Sequence, residues 1–300
     1  MTSTFTITPR GPFSLREAAL FGFGPRSEKH FDHVMRLAFC LDGYTRQVGV
    51  ELTQDPVGVI HGTTTLPSSY SAAVSGQVAR ILSLDHDGDE FLGLARVDPV
   101  LGRALSAAPG LRPVLFHSPY EAAVWSILSA RRARPQATVL RDRISRAVGA
   151  VFTLGGVEQS ALPTPDQLLG VTDFPGLPSA RIPWLHAVAR AALDGRLDAA
   201  TLAATDPDEA MAGLRTLPGI GPFYAALIQV RSTGVTDVLP TNEPRVLACA
   251  GELYGLDGPM SQSDFEARAQ AWRPWRTWAT VLIRAATHRA LASPTAAARR

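Results

Sequence analysis

The 300-residue sequence is 46% hydrophobic and 19% charged with a formal net charge of +2, which describes a globular chain with room for two or three packed units and excludes disorder, coiled coil and collagen as whole-chain descriptions. Of its 29 basic residues 28 are arginine and one, Lys29, is lysine, so any mechanism built on a lysine nucleophile has a single candidate. The two cysteines, Cys40 and Cys249, cannot build a disulfide scaffold, a four-cysteine zinc site or an iron–sulfur cluster, and read as small buried hydrophobes in a reducing cytoplasm. The first residues, MTSTFTITPRGPFSLREAALFGFG, lack a basic start before an apolar run, and no stretch approaches ~18 uninterrupted apolar residues. Neither secretion nor membrane insertion is expected.

In chain order, the first elements are short runs rich in Val, Ile, Leu, Phe and Thr. MRLAFCLD, QVGVELTQ and GVIHGTTTL are bounded by Asp-Gly, Asp-Pro and Ser-Ser breaks and predict a small antiparallel sheet. The following SYSAAVSGQVARILSL places Ala73, Val74, Val78, Ile81 and Leu82 at helical spacing, which predicts a helix covering one sheet face. Residues 1–95 thus form an α+β N-terminal domain. Beyond it strand signals fade, and DPVLGRALSAA, SPYEAAVWSILSARR, QATVLRDRISRAVGAV, TPDQLLGV, RIPWLHAVARAALDG, DPDEAMAGLRTL, PFYAALIQVRS, PRVLACAGELYG, SQSDFEARAQAW and RTWATVLIRAATHRAL all carry helical periodicity. They predict a mostly α-helical domain or pair of lobes over residues 96–291, with a frayed tail at 292–300. Ser118, Pro119 and Glu121 make a capping box with proline at the first helical position, and Thr164-Pro165-Asp166 repeats the pattern more weakly.

One segment stands out, LRTLPGIGPFYAALIQVR at residues 214–231. A helix ends at Leu217, Pro218-Gly219-Ile220-Gly221 makes a tight turn, and Pro222 restarts a helix where its missing N–H costs nothing. The two glycines allow close approach of the turn backbone to another surface. With Ile220 plugged between the helices, the amides at the second helix's start point outward as an anion site suited to a DNA phosphate of any sequence. An ordinary helix connection is the competing reading of the turn alone.

This hairpin, followed by TDVLPTNEPRV at 236–246 and WRPWRTWATVLIR at 272–284, resembles the helix-hairpin-helix glycosylase superfamily, specifically the branch of bacterial 3-methyladenine-DNA glycosylase II, whose N-terminal domain is also α+β. The resemblance spans the chain from PYEAAVWSIL through the tryptophan-rich helix. Cleaving an N-glycosidic bond builds positive charge on the sugar, so such an enzyme needs a carboxylate near the anomeric carbon and a pocket for the extruded base. The resemblance places the catalytic acid six residues after a structural aspartate in the loop behind the hairpin, which here gives Asp237 as the structural residue and Glu243 as the catalytic one. Glutamate is a methylene longer than the family's aspartate, and a displacement of ~1 Å can cost about a hundredfold in rate. Its other reading is a helix N-terminal residue ahead of Pro244, where negative charge is favoured.

The resemblance also implies a base pocket of Phe223, Leu227 and Arg284, in which leucine replaces a tyrosine and arginine replaces a tryptophan. An arginine there repels a cationic alkylpurine unless a carboxylate neutralises it. Tyr224 is a possible substitute aromatic, although it points about a hundred degrees away along the helix. The intercalating leucine of the branch is matched by Ser129, Ala130 and Arg131, so Arg131 is the candidate wedge, with Arg132 beside it as a DNA contact. Arg131, Arg132, Arg134, Arg141, Arg143 and Arg146 meet only Asp142 within sixteen residues, either a DNA-facing patch or a solvated helix face. Trp272, Trp275 and Trp278 are expected to pack the last helix inward, with Arg273 and Arg276 outside. The seven histidines form no ligand-like cluster, so no metal and no cofactor is expected.

The function implied is a monofunctional DNA glycosylase of base excision repair, hydrolysing the bond to a damaged, alkylated purine flipped from double-stranded DNA. Contacts to the duplex fall to Pro218, Gly219, Ile220, Gly221, Arg131 and Arg132. An alternative is a catalytically weak paralogue that only binds damaged DNA, and a third reading has Arg284 pairing with an acceptor edge of a neutral or oxidised base. Bifunctional members of the superfamily use a lysine at the place of Phe223, so lyase chemistry is excluded unless Lys29 folds over the site. A cytoplasmic, nucleoid-associated monomer without membrane contact is expected.

Overall fold

A computed structural model describes residues 2–22, 30–239 and 243–292 of the chain. Lys29 and tail residues 293–300 lie outside the described residues, and Ala292 closes the last helix, Arg276–Ala292.

The N-terminal region holds strands β1 (Ser3–Ile7), β2 (Met35–Cys40), β3 (Gln47–Gln54) and β4 (Ile60–Thr64), in the antiparallel order β1-β4-β3-β2. Strand β1, whose Phe5 and Ile7 alternate with threonines, was not among the runs expected to pair; it joins the sheet edge with Phe5 opposite Gly62. The helix Ser71–Ile81 lies on one face, where Val74, Val78 and Ile81 share a core with Phe39, Val48, Val50 and Leu52. Alternation alone would leave the other face wet. Yet Met35, Leu37, Ala38, Phe39 and Cys40 are all buried, because a second hairpin covers that face.

This hairpin, β5 (Ala150–Leu154) and β6 (Val157–Ala161), lies in the stretch read as helical. Its two-residue link, Gly155 and Gly156, has φ of 52° and 78°, and two positive φ values in succession form the tight hairpin turn whose twist matches paired strands. The preceding helix stops at Val148, not at Val151. Gly49 of β3 is what lets the hairpin dock, since a Cβ there would sit 2.9 Å from Cβ of Phe152.

The helices bury two further cores. Tyr120, Leu128, Ile144, Leu185, Ile220 and Ile228 belong to the first; Leu101, Leu105, Val246, Leu253, Trp272 and Ile283 belong to the second. The second lobe is discontinuous in sequence, because the helix Pro99–Ala107, together with its neighbours Phe91 and Leu94, shares a core with the C-terminal helices. The chain therefore crosses between lobes after the helix Pro222–Ser232, and the helix Pro244–Tyr254 begins on the far side of a cleft.

Local signals explain most helix starts. Asp98, Asp198, Asp206 and Ser261 each accept a backbone N–H of their own first turn, as N-caps do. Ser118 caps the helix Pro119–Ser129 through Glu121 N, but only half of the expected box closes. The Glu121 carboxylate turns instead to Cys40 N at 2.9 Å and His117 Nδ1 at 2.9 Å. Burial pushes the Glu121 carboxyl up, yet His117, Arg141 and the Cys40 amide together hold it below its ordinary value. The complete box forms at Thr164 with Gln167.

Candidate functional site

The helix-hairpin-helix comprises Pro207–Leu214, a turn, and Pro222–Ser232. The first helix closes three residues before Leu217, and Thr216 N and Leu217 N continue with tighter bonds to Gly213 O and Leu214 O. Ile220 is buried between the helices whereas Pro218 and Gly219 are exposed. Gly219 has φ of +84°, and a Cβ there would lie 2.6 Å from Cε3 of Trp184. Gly221 is extended, with open space where a Cβ would be, and heads the second helix as its N-cap. The amides of Gly219 and Gly221 donate to no acceptor among the described residues. They form the outward rim of the turn.

Across the cleft, the loop after the hairpin is lashed to the start of the last helix. Asp237 accepts Arg276 Nε at 2.6 Å and Arg273 Nη1 at 2.7 Å, while Arg276 Nη2 donates to the Asp237 carbonyl at 2.5 Å. Thr277 Oγ1 donates to Val238 O and accepts Val238 N. The arginines expected to face outward are thus the clamp, and Asp237 supports the loop through guanidinium groups rather than through its own neighbouring amides. Trp272, Trp275 and Trp278 are buried.

Glu243 is the N-cap position of the helix Pro244–Tyr254. Its carbonyl accepts Val246 N and Leu247 N, but its side chain makes no capping bond. The carboxylate is left to line a cleft of about 630 Å³ together with Phe223, Leu227, Arg245 and Arg284. Arg284 Nη1 stands 4.0 Å from Glu243 Oε2, an ion-pair distance longer than a hydrogen bond. Phe223, 61% exposed, reaches across from the hairpin. Glu243, Phe223, Leu227 and Arg284, distant in sequence, therefore share one wall system.

A second cavity of about 520 Å³ adjoins it, sharing Phe21, Phe223, Leu227, Arg245 and Arg284. Tyr224 lines only this second space and stacks edgewise on Phe223 at 5.4 Å. Sequence reading missed Arg245 and Phe21. Arg245 follows Glu243-Pro244 and was legible from that adjacency; Phe21, from the N-terminal region, had no local signal.

The arginine-rich segment is divided in use. Arg131 is exposed in the left-handed region at φ of 55° and makes no hydrogen bond or ion pair among the described residues. Arg132 instead donates to Leu128 O at 3.0 Å and Gly176 O at 2.7 Å, and Arg181 donates to Ile127 O and Ala130 O. These two guanidiniums satisfy carbonyls at the end of the helix Pro119–Ser129. Burial lowers the Arg181 pKa, and the neighbouring Arg132 and Arg131 charges add to the effect. Farther along, Arg141 bonds Ser160, Arg143 lies 5.7 Å over Phe174, and Arg146 pairs with Asp142 and Glu158. The six do not form one free basic face. Cys40 is buried as expected, but Cys249 only half so, and no group of metal-ligating side chains occurs among the described residues.

A small sheet thus lies beside two helical lobes, and Phe223 of the hairpin's second helix and the Glu243 carboxylate line the cleft between the lobes. No family model matches the chain. The solved 3-methyladenine DNA-glycosylase from Archaeoglobus fulgidus superposes with a TM-score of 0.74 at 19% identity, covering 93% of this chain and 97% of that one. The probable bifunctional transcriptional activator/DNA repair enzyme AlkA of Mycobacterium tuberculosis is 29% identical over 205 residues, 67% of this chain and 40% of the relative. The DNA-3-methyladenine glycosylase 2 of Escherichia coli is 29% identical over 191 residues, 62% of this chain and 64% of the relative. The chain thus spans less than two thirds of the length of these two relatives. It is similar in fold to the solved glycosylase and similar in sequence to these two DNA repair proteins.

Proposed function

We propose that the protein is a monofunctional DNA glycosylase of base excision repair that hydrolyses the N-glycosidic bond of a damaged, alkylated purine in double-stranded DNA. The observation that carries this reading is the Glu243 carboxylate, which heads a helix without capping it and opens into the cleft opposite Phe223. A carboxylate that served only the helix would bond its first-turn amides.

In this reading, the Gly219 and Gly221 amides hold a phosphate with Ile220 as the buried plug that keeps them aimed outward. Arg131, exposed and without a hydrogen-bond or ion-pair partner among the described residues, fills the space left in the stack by the extruded nucleotide. Arg132 shapes the turn that presents it. The base enters beside the exposed Phe223 face and the Leu227 side chain. As the bond from the anomeric carbon to the base nitrogen breaks, its electron pair leaves with the base. Glu243 stabilises the positive charge left on the sugar, and water adds to the anomeric carbon and loses a proton. Where the bifunctional enzymes place a lysine stands Phe223, so the product is an abasic site in an unbroken strand.

A protein with this role acts in the cytoplasm at the nucleoid; no helix among the described residues is long and apolar enough to cross a membrane. The test is incubation with alkylated duplex DNA, scoring released bases and strand breaks separately. Free base with intact strands is expected. Binding of the duplex without base release sinks the catalytic reading, and strand cleavage sinks the monofunctional one.

A further inference from the structure

The wall opposite Phe223 is cationic. Arg284 and Arg245 line both cavities, and Arg245 makes no hydrogen bond or ion pair among the described residues. The adjoining space adds Arg132, Arg134 and Arg289, with Glu17 as its carboxylate. That carboxylate is already held by Arg289 at 2.5 Å. Among the described residues Glu243 is therefore the acid of the cleft lined by Arg231, Arg245 and Arg284, one negative charge against three positive. It cannot both cancel Arg284, 4.0 Å away, and give its full charge to a sugar cation.

A base that is cationic before cleavage departs neutral. It gains nothing from a nearby guanidinium and is repelled by it in the ground state. A neutral base departs with an extra electron pair and is anionic until protonated, so a guanidinium on its edge stabilises the charge as it develops. A purine with ring-nitrogen and carbonyl acceptors offers the planar fork of arginine two bonds. Bonds of this kind draw Arg284 from Glu243 and free the carboxylate for the sugar.

Building on the glycosylase reading above, we infer that Arg284, standing beside Glu243 and Arg245 in the cleft, selects neutral damaged purines carrying hydrogen-bond acceptors over cationic alkylpurines, by stabilising the base as it leaves.

The test compares single-turnover base release from two duplexes, one with a single hypoxanthine (neutral, with acceptors on its edge) and one with a single 7-methylguanine (cationic). Wild type is expected to release hypoxanthine faster. Arg284→Gln should lower hypoxanthine release by about a hundredfold, the loss typical of one transition-state donor, and raise 7-methylguanine release, so that the preference inverts. Arg284→Lys, which keeps the charge without the fork, should fall between. Faster release of 7-methylguanine by wild type, or an equal fall of both rates in Arg284→Gln, overturns the inference while leaving the glycosylase reading intact. The wild-type ratio needs no variant to fold. Release of neither base by wild type overturns the inference, and base release from alkylated duplex DNA then decides the glycosylase reading separately.

Discussion

The clamp around Asp237 makes a quantitative demand on two arginines that look alike in sequence. Arg276 is 14% exposed and Arg273 is 53% exposed, and each donates to a different Asp237 oxygen. An exposed pair is worth about 0.2–1 kcal/mol, whereas a hydrogen bond to a charged group away from water contributes about 1.5–3 kcal/mol. In a double-mutant cycle with Asp237→Ala, Arg276→Ala should therefore show a coupling near 1.5 kcal/mol and Arg273→Ala about 0.5 kcal/mol or less. The bond from Arg276 Nη2 to the Asp237 carbonyl survives the Asp237→Ala change, so the first figure reports the Nε–Oδ1 contact alone. Asp237→Ala by itself should cost about 2 kcal/mol, a fall in Tm of about 4–8 °C. It should also slow base release, by up to about a hundredfold for each ångström that Glu243 shifts. Thermal melting of the four proteins in each cycle supplies the couplings. Equal couplings, or a larger one for Arg273, would refute the view that burial of Arg276 makes the clamp.

Three further outcomes follow from single contacts. Gly219→Ala should lower stability by about 1–3 kcal/mol, since it strains a left-handed residue and presses on Trp184, whereas Gly221→Ala should leave Tm nearly unchanged and weaken duplex binding by blocking phosphate approach. Undiminished affinity in Gly221→Ala argues against the phosphate grip. Arg131→Ala should keep Tm but reduce the salt slope of duplex binding by about one, while Arg132→Ala should lower Tm because it strips the Leu128 and Gly176 carbonyls; the reverse pattern contradicts the division of roles. Burial raises the Asp98 carboxyl, but bonds from Tyr254, Trp272, Leu101 and Val100 outweigh it and hold its pKa below the ordinary value. With the folded value lower than the unfolded one, near 3.9, this stabilisation is present above about pH 4 and fades as pH falls through the folded value. Asp98→Asn should therefore melt below wild type at pH 7, with the gap closing toward pH 3; a constant gap tells against a charged Asp98.

Much of the fold was legible because helix starts and apolar spacing are local. The hairpin at 214–231 and the cap at Ser118 are written in adjacent residues. Strands β5 and β6 were missed although Gly155-Gly156 is a strong turn signal, because exposed Val151 and Val157 alternate only weakly with polar neighbours. Strand β1 was missed because its threonines blunt the alternation. In the site, the resemblance and a count along the chain gave Glu243 and Asp237 as candidates, whereas charge counting grouped arginines that the fold puts to different uses. Whether a guanidinium faces solvent or a carbonyl depends on partners such as Gly176, Ser160 and Glu158, which lie 12 to 44 residues away. The meeting of Phe21, Arg245 and Arg284 depends on lobes closing on each other, which no local pattern encodes.

The most direct test of the central claim is single-turnover base release by Glu243→Gln, with duplex affinity measured on the same preparation. Glutamine keeps the shape and removes the charge. The account predicts a rate loss of about a hundredfold or more with duplex binding retained; release at the wild-type rate would contradict the assignment of Glu243 as the group that stabilises the sugar cation.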